Sequence, residues 1–327
     1  MEPLLHVQNL KTQFSSRKGS VVAVDGVNFD VNKGEILGIV GESGCGKSVT
    51  SLSIMRLLPT IGEICPGSSI QLEGEELTSL SEIEMCKMRG NRIAMIFQDP
   101  MTSLNPVMTI GRQLTEPLMV HQGMDKAAAW KHAVQMLEKV GITAPQQRMK
   151  EYPHQFSGGQ RQRIIIARCL VVTPKIIFAD EPISALDVSL QAQVINMLMD
   201  LQDKYKLSML LIAHDLAVVR QIADQIKIMY FGEIVESAPS SEIYKNAQHP
   251  YTKVLLKAAP SISKGLEDAG FDIDLKPGDI PDPAKPMPGC PFCTRCIYAD
   301  ERCMKERPEE TEVSPGHTVR CHKAGQI

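Results

Sequence analysis

The chain has 327 residues, 43% of them hydrophobic, with a near-balanced charge of −3 and nine cysteines. That is length enough for one large domain or two moderate ones. The balance lacks the basic excess of a nucleic-acid surface, and no apolar run is long enough to span a bilayer. The N-terminus (Met1 to His6) lacks the basic and long apolar regions of a signal peptide, so the chain reads as cytoplasmic. In that compartment the cysteines are expected as thiols, metal ligands or redox groups rather than disulfides.

Leu4 to Leu10 alternates apolar and polar residues and predicts a strand. Val21 to Val31 does so again, with Val22, Val24, Val27 and Phe29 expected inward. Asp25-Gly26 and Asn32-Lys33-Gly34 read as turns, giving a small antiparallel sheet. Phe14 falls in the predicted loop between these strands, where it either stacks on an adenine ring or packs as an ordinary aromatic. Ile36 to Val40 predicts a buried strand and Ser48 to Leu58 a helix.

Between that strand and helix lies Gly41-Glu42-Ser43-Gly44-Cys45-Gly46-Lys47-Ser48, a G-x-x-x-x-G-K-S phosphate-binding loop followed by Val49. The glycines let backbone N–H groups turn toward a phosphate, and the helix N-terminus adds partial positive charge. Lys47 supplies a point charge for the β- and γ-phosphates, and the Ser48 hydroxyl is a ligand for Mg²⁺. Cys45 lies inside the loop, so an alkylator or oxidant there is expected to block nucleotide binding.

Downstream, Ser68 to Leu77 reads as a short strand with a turn, and Arg92 to Phe97 as a buried strand ending at Gln98-Asp99-Pro100. Residues 102–170 read as a mostly helical insertion containing Trp130. Phe156-Ser157-Gly158-Gly159-Gln160 opens an apolar helical run. Ser157 is its candidate N-cap, and the two glycines allow close backbone approach. This is a second anion-binding helix start, although one nucleotide needs one cradle. Lys175 to Ala179 predicts a strand running into Asp180-Glu181, where Asp180 would hold Mg²⁺ and Glu181 would orient or deprotonate a water. After a helix over 189–206, Leu207 to Ala213 runs into His214-Asp215, and Gln225 to Phe231 into a hairpin at Gly232. Strands alternating with helices imply a largely parallel sheet with its ligand at the carboxyl ends of the strands.

Residues 261–289 read as a linker or irregular wrap. The last stretch reads Cys290-x₂-Cys293-x₂-Cys296-x₆-Cys303-x₁₇-Cys321. Such spacing suits an iron–sulfur cluster or zinc, with free thiols as the third reading. Cys65, Cys86 and Cys169 are scattered and read as ordinary residues.

Taken in order, these motifs closely resemble the nucleotide-binding subunits of ABC transporters. Gly41 to Ser48 resembles the Walker A loop, Gln98 the Q-loop glutamine, and Phe156 to Gln160 the signature sequence with Phe for the usual Leu. Ile176 to Asp180 resembles Walker B, with Glu181 as the catalytic glutamate. Ser184-Ala185-Leu186-Asp187 resembles the D-loop, and His214 the switch histidine. The extended run Phe97 to Pro106, Tyr152 to Gln155, His249-Pro250-Tyr251-Thr252 and the cysteine tail are similar to the oligopeptide/dipeptide importer branch. Ile183 departs from the small polar residue usual there.

The resemblance implies an α/β phosphate-loop ATPase core with a mixed, largely parallel sheet, an antiparallel β-subdomain and a helical subdomain (about 102–170). The core would span 1–258, with a cysteine-rich extension over 259–327. It implies ATP and Mg²⁺ as cofactors, the metal on Ser48, Gln98 and Asp180, and Glu181, His214 and Gln98 as catalytic residues. It implies a [4Fe–4S] cluster on Cys290, Cys296, Cys303 and Cys321, with Cys293 uncommitted and zinc the alternative. Two such subunits, expected as a heterodimer, would sandwich ATP head to tail. They would drive two membrane permease subunits fed by an external solute-binding protein, peripheral to the cytoplasmic face of the membrane and without nucleic acid. The expected cargo is peptides. Nickel chelates, glutathione and sugars are the alternatives, and a soluble ATPase acting on nucleic acid or ribosomes is the rival from another class.

Overall fold

The computed structural model describes residues 2–16, 19–184, 186–258, 276 and 287–327. The chain divides into two compact units, Met1–Thr78 with Leu211–Ile327, and Ser79–Leu210.

In the first unit, Leu5–Ser16 and Gly19–Val31 form an antiparallel pair, with Leu5 opposite Val31 and Val7 opposite Phe29. The register shifts between Val7 and Leu10, where Asn9 takes a left-handed φ of 48°. This bulge moves the buried phase from Leu5 and Val7 to Leu10 and Thr12. The strand therefore runs on well past Leu10, and Phe14 belongs to it rather than to a loop. Val24, Val27 and Phe29 point inward as expected, whereas Val22 is only half-buried. Ser69–Leu72 and Gly62–Ile64 pair with the other edge of Leu5–Ser16.

The same unit holds a second sheet. Ile36–Val40, buried along its whole length, pairs in parallel with Gln225–Tyr230. Such strands are apolar on both faces, and each fully buried Val, Leu or Ile contributes roughly 1.5–3 kcal/mol. Gln225–Tyr230 turns back through Phe231 (φ 49°) and Gly232 (φ 85°) into Glu233–Pro239, the hairpin expected from Gly232. The cysteine-rich extension continues this sheet. His317–Val319 pairs with Glu233–Pro239, and Thr311–Ser314 pairs with His317–Val319. A buried polar cluster fixes the junction. The Glu236 carboxylate, 1% exposed, accepts from the backbone N–H groups of Gln248 (2.6 Å) and His249 (2.9 Å) and lies 2.8 Å from His317 Nε2.

The second unit is mainly helical. Ile93–Ile96 and Ile176–Asp180 pair in parallel. Around them lie Ile110–Gln122, Lys126–Lys139, Gly158–Leu170 and Val188–Tyr205. Each helix starts on a side-chain cap: Thr109, Asp125, Ser157 and Asp187 accept from N–H groups of the first turn. Gly111 lies against Trp130, where a Cβ would come within 2.7 Å of the indole. Ser208–Ala213, buried throughout, lies where one unit gives way to the other in sequence. The α/β core with its antiparallel β-subdomain and helical subdomain is the expected fold class.

Candidate nucleotide site

The phosphate loop links Ile36–Val40 to the helix Lys47–Ile54. Its glycines are required for two different reasons. Gly46 has φ 110°, and a Cβ there would sit 2.4 Å from the Ala23 carbonyl oxygen. At Gly41 a Cβ would sit 2.1 Å from the Met229 carbonyl oxygen, so the loop lies directly on the neighbouring strand. No side chain caps the helix start at Gly46, and such a start carries partial positive charge. Lys47 is 4% exposed, and its ammonium donates to the carbonyl oxygens of Gly41 (2.8 Å) and Glu42 (2.9 Å). A buried cation, an uncapped helix start and a cradle too tight for a Cβ fit a phosphate.

Glu42 is held on three sides. Its N–H donates to Tyr251 Oη (2.7 Å), its carbonyl accepts from Lys47, and its carboxylate takes both arms of the Arg295 guanidinium (2.8 and 3.0 Å). The sequence reading has Tyr251 only as part of the run His249 to Thr252, with no place at the site, and does not single out Arg295. Arg295 is 253 residues away along the chain, and no local pattern signals the pair.

Cys45 does not behave as an open reactive thiol. It is 7% exposed, and burial pushes its thiol above the ordinary value, only partly opposed by Lys47. Thiolate is the nucleophile, so maleimide should label exposed Cys86 quickly and Cys45 slowly. Peptide mapping at neutral pH reads this, and equal labelling rates would contradict it. Phe14 is half-buried against the Gly62 backbone, where a Cβ would meet its ring at 2.7 Å. His214 is exposed just beyond Ser208–Ala213, and the neighbouring Asp215 caps the next helix through the Ala217 N–H (2.7 Å).

The second unit gathers the acidic residues. Asp180 ends its strand at 6% exposure, and Glu181 follows with a left-handed φ of 44°. A non-glycine residue held there stores strain, a common property of working sites. Gln98 donates to the Glu181 carboxylate at 2.9 Å, so the structure brings these two together. The Glu181 carbonyl closes a turn by accepting from the Ser184 N–H (3.2 Å) and hydroxyl (3.1 Å). Ile183 is buried within that turn, which accounts for an apolar residue at the position. Leu186 is buried beside it, and Asp187 caps Val188–Tyr205 through the Leu190 N–H (2.9 Å). Ala185 lies outside the described residues.

Ser157 and Gln160 form a reciprocal capping box at the start of Gly158–Leu170. Gly158 is exposed with nothing near its Cβ direction, whereas Gly159 is buried against Leu190. Phe156 is buried under the Arg148 guanidinium, 5.4 Å from its ring centre, so it serves as an anchor for the helix start.

The cysteine tail departs from expectation. Among the described residues no group of three or more His, Cys, Asp or Glu is placed to hold a metal ion, so neither the [4Fe–4S] cluster nor zinc is supported. Cys290, Cys293, Cys296, Cys303 and Cys321 are all free. Burial pushes every one of these thiols up, Cys290 to about 12 and Cys321 to about 11.

A phosphate loop, an acid pair at a strand end and a capped Ser-Gly-Gly helix start on this α/β core define an ABC-type ATPase. Residues 24–184 match the family "ABC transporter", and residues 235–303 match "Oligopeptide/dipeptide transporter, C-terminal region". The chain is 47% identical over 321 residues to the oligopeptide transport ATP-binding protein AppD of Bacillus subtilis, covering 98% of this chain and 97% of that protein. It is 48% identical to the dipeptide transport ATP-binding protein DppD of the same organism, covering 98% and 95%. Among solved structures, the dimeric post-hydrolysis state of the ATP-binding cassette MJ0796, bound to ADP and Pi, aligns with a TM-score of 0.65 at 26% identity, over 72% of this chain and 98% of that one. The chain belongs to the ATP-binding, ATP-hydrolysing subunits of the oligopeptide/dipeptide ABC transporter family, whose systems typically combine ATPase, permease and solute-binding components.

Proposed function

We propose that this chain energises peptide import as one of two ATPase subunits, paired as a heterodimer and docked peripherally on two permease subunits at the cytoplasmic face of the membrane. An external solute-binding protein would supply the peptide. The observation that carries the pairing is the second, separate helix start. The Ser157–Gln160 capping box fixes this helix start, and Gly158 beside it is exposed with open space in its Cβ direction, room for a group from outside the chain to approach. A partner's γ-phosphate is the natural occupant of such a start. The relatives named for oligopeptide and dipeptide transport support the cargo, and the dimeric cassette supports the pairing. No helix among the described residues is long and apolar enough to cross a membrane.

In this reading Gly41 to Val49 bind the triphosphate, and Phe14 borders the adenine. Ser48, Gln98 and Asp180 would hold Mg²⁺, which when bound would supply positive charge against the phosphates. Glu181 takes the proton of the attacking water, and Gln98 aims its carboxylate. His214 senses the γ-phosphate, and Ser184 to Asp187 line the partner contact. ATP favours the closed pair only as far as it binds that state better, and hydrolysis removes the preference. The core would end near residue 258, with 259–327 as an added extension.

Gentle detergent pull-down of this chain from native membranes should bring down two polytopic proteins and a second, similar ATPase. Recovery of ribosomes, nucleic acid or no partner would overturn the assignment.

A further inference from the structure

We propose that Arg295, on the cysteine turn of the C-terminal extension, is a positioning residue of the ATP site that acts by holding Glu42 of the phosphate loop. The inference rests on reading Gly41 to Ser48 as the nucleotide cradle. Three observations converge on it. The guanidinium grips both Glu42 carboxylate oxygens, at 2.8 and 3.0 Å, with Arg295 only 12% exposed. A two-armed guanidinium–carboxylate pair fixes direction as well as distance, which a single point charge does not. The Glu42 carbonyl accepts from the Lys47 ammonium, so the residue gripped by Arg295 is, with Gly41, one of the two that aim the phosphate-binding cation. Tyr251 takes up the third group of Glu42, its N–H, and packs at a tilt against Tyr230 and Phe292, with ring centres 4.6 and 5.5 Å away.

The anchorage of Arg295 is equally defined. Phe292, 1% exposed, packs edge-on against Tyr230, and the Arg295 cation lies 5.9 Å from its ring centre. The Arg295 N–H donates to the Phe292 carbonyl (3.0 Å), and the Cys290 N–H donates to the Cys303 carbonyl (2.8 Å). A cysteine-rich turn thus presents one arginine to the loop, with the aromatic cluster as its footing. The extension is part of the nucleotide site and not an appendage to it.

The test uses the full-length protein, with MgATP affinity and steady-state turnover measured for R295A, R295K, E42Q and the pair R295A/E42Q. R295A and E42Q should each weaken ATP affinity about tenfold, the larger share of the change appearing in KM. The double variant should be no worse than either single one, because both break the same link. R295K should recover only part, since an ammonium cannot grip both oxygens. Wild-type affinity in both single variants would overturn the proposal. Fully additive losses would also overturn it, since Arg295 would then act through something other than Glu42. E42Q keeps the shape of the loop and leaves the extension untouched, so it reads the link even if R295A loosens the fold. K47A is the separate control: wild-type ATP affinity in that variant would remove the phosphate-loop reading itself.

Discussion

Lys47→Ala is expected to abolish measurable ATP binding, a loss of at least about 100-fold. The size follows from where the ammonium sits. It is buried, held between the Gly41 and Glu42 carbonyls, and it is the charge placed beside the uncapped start of Lys47–Ile54. Removing it takes away a charge-assisted contact to phosphate, and it leaves two carbonyl oxygens without their cation beside an anion. Helix N–H groups alone are a weaker attraction. Titration with a fluorescent ATP analogue measures the loss, and a melting curve shows that the fold survives. Affinity within a few-fold of wild type would mean that the nucleotide is held elsewhere.

Glu181→Gln is expected to bind ATP normally and to slow hydrolysis by a factor of about 10²–10⁴, the range for removing a general base. The substitution is nearly isosteric, and a glutamine side-chain oxygen still accepts from Gln98, as the carboxylate does at 2.9 Å. The strained backbone at Glu181 and the turn closed by Ser184 are also retained. Only the proton acceptor is lost. With hydrolysis stalled, the ATP-bound pair should accumulate, visible as a shift to larger size with the partner subunit and MgATP. Near-normal turnover would assign the base to another residue.

The sequence exposes the parts of this site that are contiguous. Gly41 to Ser48, Asp180-Glu181 and Ser157 to Gln160 each pack their chemistry into a few residues, so spacing alone identifies them. Gln98 was legible by resemblance, and its hydrogen bond to Glu181 appears only in three dimensions. Three features escaped for physical reasons. The bulge at Asn9 shifts the phase of alternation, so the first strand looks finished at Leu10 and Phe14 looks like a loop residue. Cysteine spacing along the chain does not fix how the side chains are arranged in space, and among the described residues they form no metal-holding group. The grip of Arg295 on Glu42 joins opposite ends of the chain through an aromatic footing that no periodicity encodes.

ATP turnover by this chain is expected to serve peptide import. Its most direct test is the ATPase rate of the purified membrane complex in lipid, with and without its solute-binding protein, across a series of di- and oligopeptides. Turnover that rises when the binding protein carries peptide, and collapses when this chain carries Glu181→Gln, is the predicted result. Turnover indifferent to every peptide, with a response instead to a metal chelate, a sugar or no solute at all, would contradict it.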